Sequence, residues 1–141
     1  MKAFVDTSVL VASFYGDHEH HERSFGLFAE HRKSTACTAA HCFAEFYAVV
    51  TGMPGKNRAN PDEAMLFLRD ARARLTEVTL DETEYFDLLE SAAATGIFGG
   101  TIYDAIIAQC ARKAKAQTIY TWNLRHFKRL GAEVASRVRQ P

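Results

Sequence analysis

Three carboxylates stand where a folded chain ordinarily avoids an unpaired charge: Asp6 directly after the extended run at 2–5, Glu45 inside the apolar stretch 41–50, and Asp104 inside the apolar pattern 102–114. Each has an ordinary structural account. Asp6 can cap the helix that follows it, Glu45 can pair with an Arg or Lys or with His41 four residues earlier, and Thr101-x-x-Asp104 resembles a capping box with Thr101 as N-cap. Taken together they call for other chemistry, because neighbouring carboxylates raise one another's pKa and a cation relieves the repulsion. Oxygen ligands carried on separate elements and converging on one point suit Mg²⁺ or Mn²⁺. Asn123 adds a neutral amide just past the β-prone run 118–122.

Convergence requires elements that bring these positions together. Strands are expected at 2–5, 34–39, 75–80 and 118–122, with helices over 9–14, 17–33, 41–50, 60–74, 81–94, from Gly99-Gly100 to about 114, and 124–130. A short edge strand at 133–135 and a basic, mobile tail at 136–141 complete the expectation. The turn-rich segment 52–61 is a loop and not a boundary, since the residues before it would make a poor core alone, so residues 1–141 are read as one domain. Strands alternating with helices imply α/β architecture around a mostly parallel sheet. In such sheets chemistry collects outside the carboxyl ends of the strands, which Asp104 reaches only if its helix begins there.

Composition narrows the setting. No apolar run approaches the ~20 residues of a membrane span, and the start MKAFVDTS lacks the length of a secretory signal, so a cytoplasmic location is expected. Cys37, Cys42 and Cys110 are odd in number and form no CxxC pair, which fits reduced, packed thiols better than disulfides or zinc. His18, His20 and His21 lack the HExxH spacing and read as a solvated helix start, and the acids of 81–90 read as a solvated helix face.

The net charge is zero but unevenly spread: residues 1–110 hold nine Lys and Arg against sixteen Asp and Glu, whereas residues 111–141 hold eight against one. Such a basic end attracts a polyanion even on a neutral molecule. Arg112, Lys113, Lys115, Arg125, Lys128 and Arg129 are its candidate contacts with a nucleic-acid backbone. Trp122 and Phe127 can stack a base or simply pack in the core.

The motifs FVDTSVL, a lone helical Glu45, GGTIYDAIIAQCA and IYTWNLRHF, in that order, resemble the PIN-domain nucleases and within them the VapC-type toxins of bacterial toxin–antitoxin pairs. The likeness covers nearly the whole chain. It implies a three-layer α/β/α sandwich with a central parallel sheet, a Mg²⁺ or Mn²⁺ site, endoribonuclease activity on RNA, frequent homodimers and inhibition by a small antitoxin. By this resemblance Asp6, Glu45 and Asp104 match the acidic metal-site positions, with Ser8 and Thr121 as polar supports. Where many relatives carry a fourth acid this chain has Asn123, which leaves open whether one or two ions bind. The implied reaction is hydrolysis of a phosphodiester to 5′-phosphate and 3′-hydroxyl ends without a covalent enzyme intermediate. Its rival is an RNA- or partner-binding module of the same fold with weak or no metal-dependent catalysis. A haloacid-dehalogenase type phosphotransferase is disfavoured, because it needs a second Asp where this chain has Ser8.

Overall fold

The computed structural model of the protein describes residues 1–141. Strands β1 (Ala3–Val5) and β2 (Ala36–Ala39) are buried at every position. Continuous burial of this kind marks strands covered on both faces. From β1 the chain passes through α1 (Thr7–Phe14) and α2 (His21–Glu30) to β2, and from β2 through α3 (Ala40–Thr51) and α4 (Pro61–Arg74) to β3 (Thr76–Val78). It then returns through α5 (Glu82–Thr95) and α6 (Thr101–Lys113) to β4 (Thr118–Tyr120), and ends through α7 (Leu124–Lys128) and α8 (Ala132–Arg137) in β5 (Val138–Arg139).

The strand order is β3-β2-β1-β4-β5, and every pairing is parallel. Crossovers between parallel strands are right-handed, so connections running toward β3 and those running toward β5 lie on opposite faces of the sheet. The packing agrees: α1 contacts α2 and α3, α3 contacts α4, and α5 through α8 contact one another in sequence. This is the three-layer α/β/α sandwich. The direction of winding reverses between β1 and β4, and a crevice opens outside their carboxyl ends. Asp6 follows β1 directly, and Thr121 to Asn123 follow β4.

Local signals explain most of the helix boundaries. Asn60 and Glu63 form a reciprocal capping box with Pro61 at the first helical position, and Asp81 and Glu84 form another. Gly96, at φ 78°, closes α5 in the left-handed conformation that glycine adopts without steric conflict. All three cysteines are free and buried, and burial pushes the Cys37 and Cys42 thiols up to about 12.

Several boundaries differ from the sequence expectation. Residues 133–135 are helical within α8, and the edge strand is β5, within the expected mobile tail. Long-range contacts make the difference: Val138 is buried and registered on Ile119, and Arg137 Nη1 donates to Ala116 O at 3.0 Å. The helix expected over 17–33 begins only at His21, leaving His18 and His20 in the preceding turn. At α6 the N-cap is Gly100, not Thr101, and no side chain caps it. Asp104 is therefore not held in a capping box.

Candidate active site

Asp6 sits at the strand-to-helix junction and is 3% exposed. Its Oδ2 accepts from Thr121 Oγ1 at 2.7 Å, Ser8 Oγ at 2.9 Å and Ser8 N at 3.4 Å, the last being the helix cap. Thr121 and Ser8 are fixed in turn: Thr121 Oγ1 accepts from Asn123 N and Ser8 Oγ from Trp122 N, both at 2.9 Å. Each hydroxyl has one proton, and both are committed to Asp6, so the 3.2 Å approach of Ser8 Oγ to Thr121 Oγ1 is a packing contact more than a bond. The supporting roles expected for Ser8 and Thr121 thus have a geometric basis. Burial still wins over these donors and raises the Asp6 carboxyl above the usual range.

Glu45 reaches the crevice from the middle of α3. Its Oε1 accepts from Thr7 Oγ1 at 3.3 Å and lies 3.5 Å from Nε2 of His41. His41 is thus its basic neighbour, not an Arg or Lys. Burial pushes Glu45 up to about 7 and pushes His41 down, so it favours the neutral form of both. His41 Nε2 is buried without a hydrogen-bond partner, and the ring is stacked on Tyr103 of α6. Asp104 stands in the first turn of α6, where the helix dipole favours a negative charge. Burial, followed by the charge of Asp6, raises its pKa, while His126, Arg129 and His41 lower it.

Asp6, Glu45, Asp104 and Asn123 line one cleft of about 480 Å³. The acids face it without closing into a ligand shell: no three His, Cys, Asp or Glu side chains surround a common point. The fit to a divalent cation rests on donor chemistry. The set is carboxylate oxygen backed by hydroxyls, with no sulfur, and the charge of Asp6 raises both other acids, so a hard divalent ion matches both the ligands and the electrostatics.

A consequence for stability follows from Glu45. Its folded pKa of about 7 lies above the ordinary 4.5, so its contribution is fully present below about 4.5 and is lost as pH rises through about 7. His41 acts with the opposite sign, its lowered pKa removing stability as pH falls. The difference between wild type and Glu45→Gln isolates the Glu45 effect. In EDTA, the melting temperature of wild type relative to Glu45→Gln is expected to fall between pH 5 and pH 8, and Mg²⁺ is expected to reverse the fall. A pH-independent difference would show that Glu45 is not strained by its neighbours.

The six basic candidates divide. Arg112 pairs with Glu133 and Lys113 with Glu84, each at 2.7 Å. At ~1.5 Å of helix rise per residue they lie ~12 to 14 Å from Asp104, toward the opposite end of the strands, as does Lys115. Arg125, Lys128 and Arg129 instead follow Asn123 and form an open basic surface. Phe127 is 1% exposed and packs in the core, so it cannot stack a base. The sequence alone does not single out Thr7, which supports Glu45, and it puts His18 and His20 on a solvated helix, whereas both line the cleft. The Gly16-Asp17 turn ahead of them is the one local signal that the helix starts later.

The sequence profile of the PIN domain matches residues 3–133. Ribonuclease VapC40 of Mycobacterium tuberculosis is 33% identical over 132 residues, covering 92% of this chain and 94% of its own. Ribonuclease VapC27 of the same species is 32% identical over 113 residues, covering 80% and 79%. Among solved structures, VapC20 of Mycobacterium tuberculosis, a sarcin-ricin loop cleaving toxin, superposes with a TM-score of 0.65 at 20% identity, over 86% of this chain and 90% of that one. The DNA-bound VapBC of Salmonella typhimurium gives a TM-score of 0.67 at 20% identity, over 99% and 98%. At this identity the two structures speak to the fold alone.

Proposed function

This chain belongs to the PIN domain family, and from that premise we propose that it is a divalent-cation-dependent endoribonuclease and the toxin of a toxin–antitoxin pair. The observation that carries the reading is the meeting of Asp6, Glu45 and Asp104 in the crevice where the sheet reverses its winding. The ribonuclease names of the relatives support RNA as substrate, and the solved VapBC assemblies support a small antitoxin as partner. Homodimerisation belongs to the same proposal, with Phe86, Leu89 and Phe98 among the exposed apolar side chains.

Asp6, Glu45 and Asp104 would hold Mg²⁺ or Mn²⁺, with Asn123 at the rim. When bound, the cation supplies Lewis-acid chemistry, acidifying water and offsetting charge on the phosphoryl oxygens. The chain's own part is preorganisation. Ser8 and Thr121 fix the Asp6 carboxylate through two hydroxyl protons, and Thr7 fixes Glu45, so the acids need little reorganisation when substrate arrives.

The direct experiment incubates the purified protein with RNA and Mg²⁺ or Mn²⁺, with EDTA as control, and maps the ends. Cleavage is expected only with the divalent ion, leaving 5′-phosphate and 3′-hydroxyl. A folded, metal-loaded protein that binds RNA without cutting it would favour the binding-module reading.

Backbone contacts are assigned to Arg125, Lys128 and Arg129. Each phosphate that a cation neutralises steepens the salt dependence of single-strand binding by about 0.7, so replacing all three by Ala should lower the slope by about 2. Replacing Arg112, Lys113 and Lys115, at the other end of α6, should leave it unchanged. Equal reductions in both variants would show that RNA tracks along the whole basic end.

A further inference from the structure

The turn between α1 and α2 brings a histidine pair to the cleft. His20 lies flat on Trp122, with ring centroids 3.7 Å apart and planes 7° from parallel. Trp122 is anchored at both ends: its backbone N–H donates to Ser8 Oγ at 2.9 Å and its indole N–H to the buried Ser24 Oγ at 2.7 Å. Because Ser8 also holds Asp6, the stack is referenced directly to the carboxylate cluster. The His18 ring stands 5.6 Å from that of His20, and its Nδ1 accepts the His20 backbone N–H at 3.0 Å. Together with Glu19 these residues form one wall of the cleft that Asp6, Glu45 and Asp104 line.

We propose that His20, backed by Trp122 and flanked by His18, is the stacking face for an unpaired nucleobase beside the phosphodiester to be cut. The proposal rests on the ribonuclease reading and adds a base subsite to it. The His20 side chain is 35% exposed although its ring covers an aromatic neighbour, so its accessible surface belongs to the cleft and not to the core. The stack carries charge of both signs: the Glu19 carboxylate, 82% exposed, lies 3.4 Å from His20 Nε2, and the Arg23 guanidinium lies 5.4 Å from the Trp122 ring centroid, so the aromatic face and not a net charge is what this wall offers a ligand. A base presents a neutral π face, and stacking on aromatic rings is the usual way proteins hold unpaired bases. A ring held in place before binding loses little freedom when the base arrives.

Trp122 is the only tryptophan in the chain, so its emission reports on the stack. The experiment titrates Asp104→Asn with a labelled single-stranded oligoribonucleotide, a matched abasic oligonucleotide and tripolyphosphate, following Trp122 emission and, for the oligonucleotides, label anisotropy. The oligoribonucleotide is expected to bind and change the emission, while the abasic strand binds more weakly and neither it nor tripolyphosphate changes the emission. Adding His20→Ala should weaken RNA binding about 5- to 10-fold, the lower part of the range for losing one base–aromatic stack. His20→Phe should restore affinity to within about 2-fold, since it keeps the ring. In the cleaving protein, His20→Ala should raise KM more than it lowers kcat. RNA binding with unchanged Trp122 emission, or equal losses in His20→Phe and His20→Ala, would overturn the stacking role and leave the ribonuclease reading standing. Absence of RNA binding altogether would overturn both.

Discussion

Replacing Asp104 by Asn is expected to lower divalent-dependent RNA cleavage by at least about 100-fold while leaving the fold intact. Groups that merely orient a metal ligand cost 10- to 100-fold when removed, so loss of a direct ligand should cost more. The change is nearly isosteric. The influences on the Asp104 carboxyl are burial and surrounding charges, with no hydrogen bond among them, so an amide there orphans no donor. It also removes one like charge from beside Asp6, and the metal-free melting temperature should therefore hold or rise slightly at pH 8. Cleavage rates, circular dichroism and thermal melts on the same preparation test the claim. A folded Asp104→Asn protein that cuts RNA at close to the wild-type rate would remove Asp104 from the metal site.

The parts of this site that are legible in the sequence share one property: their cause is local. Asp6 is readable because an apolar strand ends on it and a helix begins after it. Asp104 stands out because a Gly-Gly break starts an apolar helix around it. Asn60 and Glu63 carry their capping box in four residues. What escapes depends on contacts distant in sequence. Arg112 and Lys113 read as free cations until α6 packs them beside Glu133 and Glu84, 21 and 29 residues away. The strand β5 has only two residues, too few for a periodic pattern, and is defined by its register on β4. His20 reads as solvated because Trp122, its stacking partner, arrives only when β4 pairs beside β1. A residue's type and spacing reveal which charges are misplaced, whereas topology decides what they meet.

Thr121→Val is the sharpest test of how the fold holds its deepest charge. The side chain is fully buried and the substitution preserves its shape, so no cavity forms and the effect belongs to the hydroxyl. That hydroxyl donates to Asp6 Oδ2 at 2.7 Å and accepts the Asn123 N–H at 2.9 Å. Valine leaves a buried carboxylate short of a donor and an N–H without its acceptor. At about 1–3 kcal/mol for each unmatched buried group, the expected destabilisation is about 2–6 kcal/mol. It should grow with pH. The Thr121 proton favours the ionised form, so the variant's Asp6 pKa lies above the already raised wild-type value. A raised carboxyl contributes stability that is present below its unfolded pKa and lost as pH rises through the folded one. The deficit against wild type is therefore smaller at pH values below both folded Asp6 pKa values, and larger above them; the Asn123 N–H stays unmatched throughout. Cleavage should fall about 10- to 100-fold, as for other supports of a metal ligand. Thr121→Ser keeps the hydroxyl and should retain most activity. Urea melts over a pH series, with rates for all three proteins, decide the matter. A deficit that stays equal across the pH series would mean that the Thr121 proton does not set the charge on Asp6, and a serine variant as impaired as valine would show that keeping the hydroxyl is not enough.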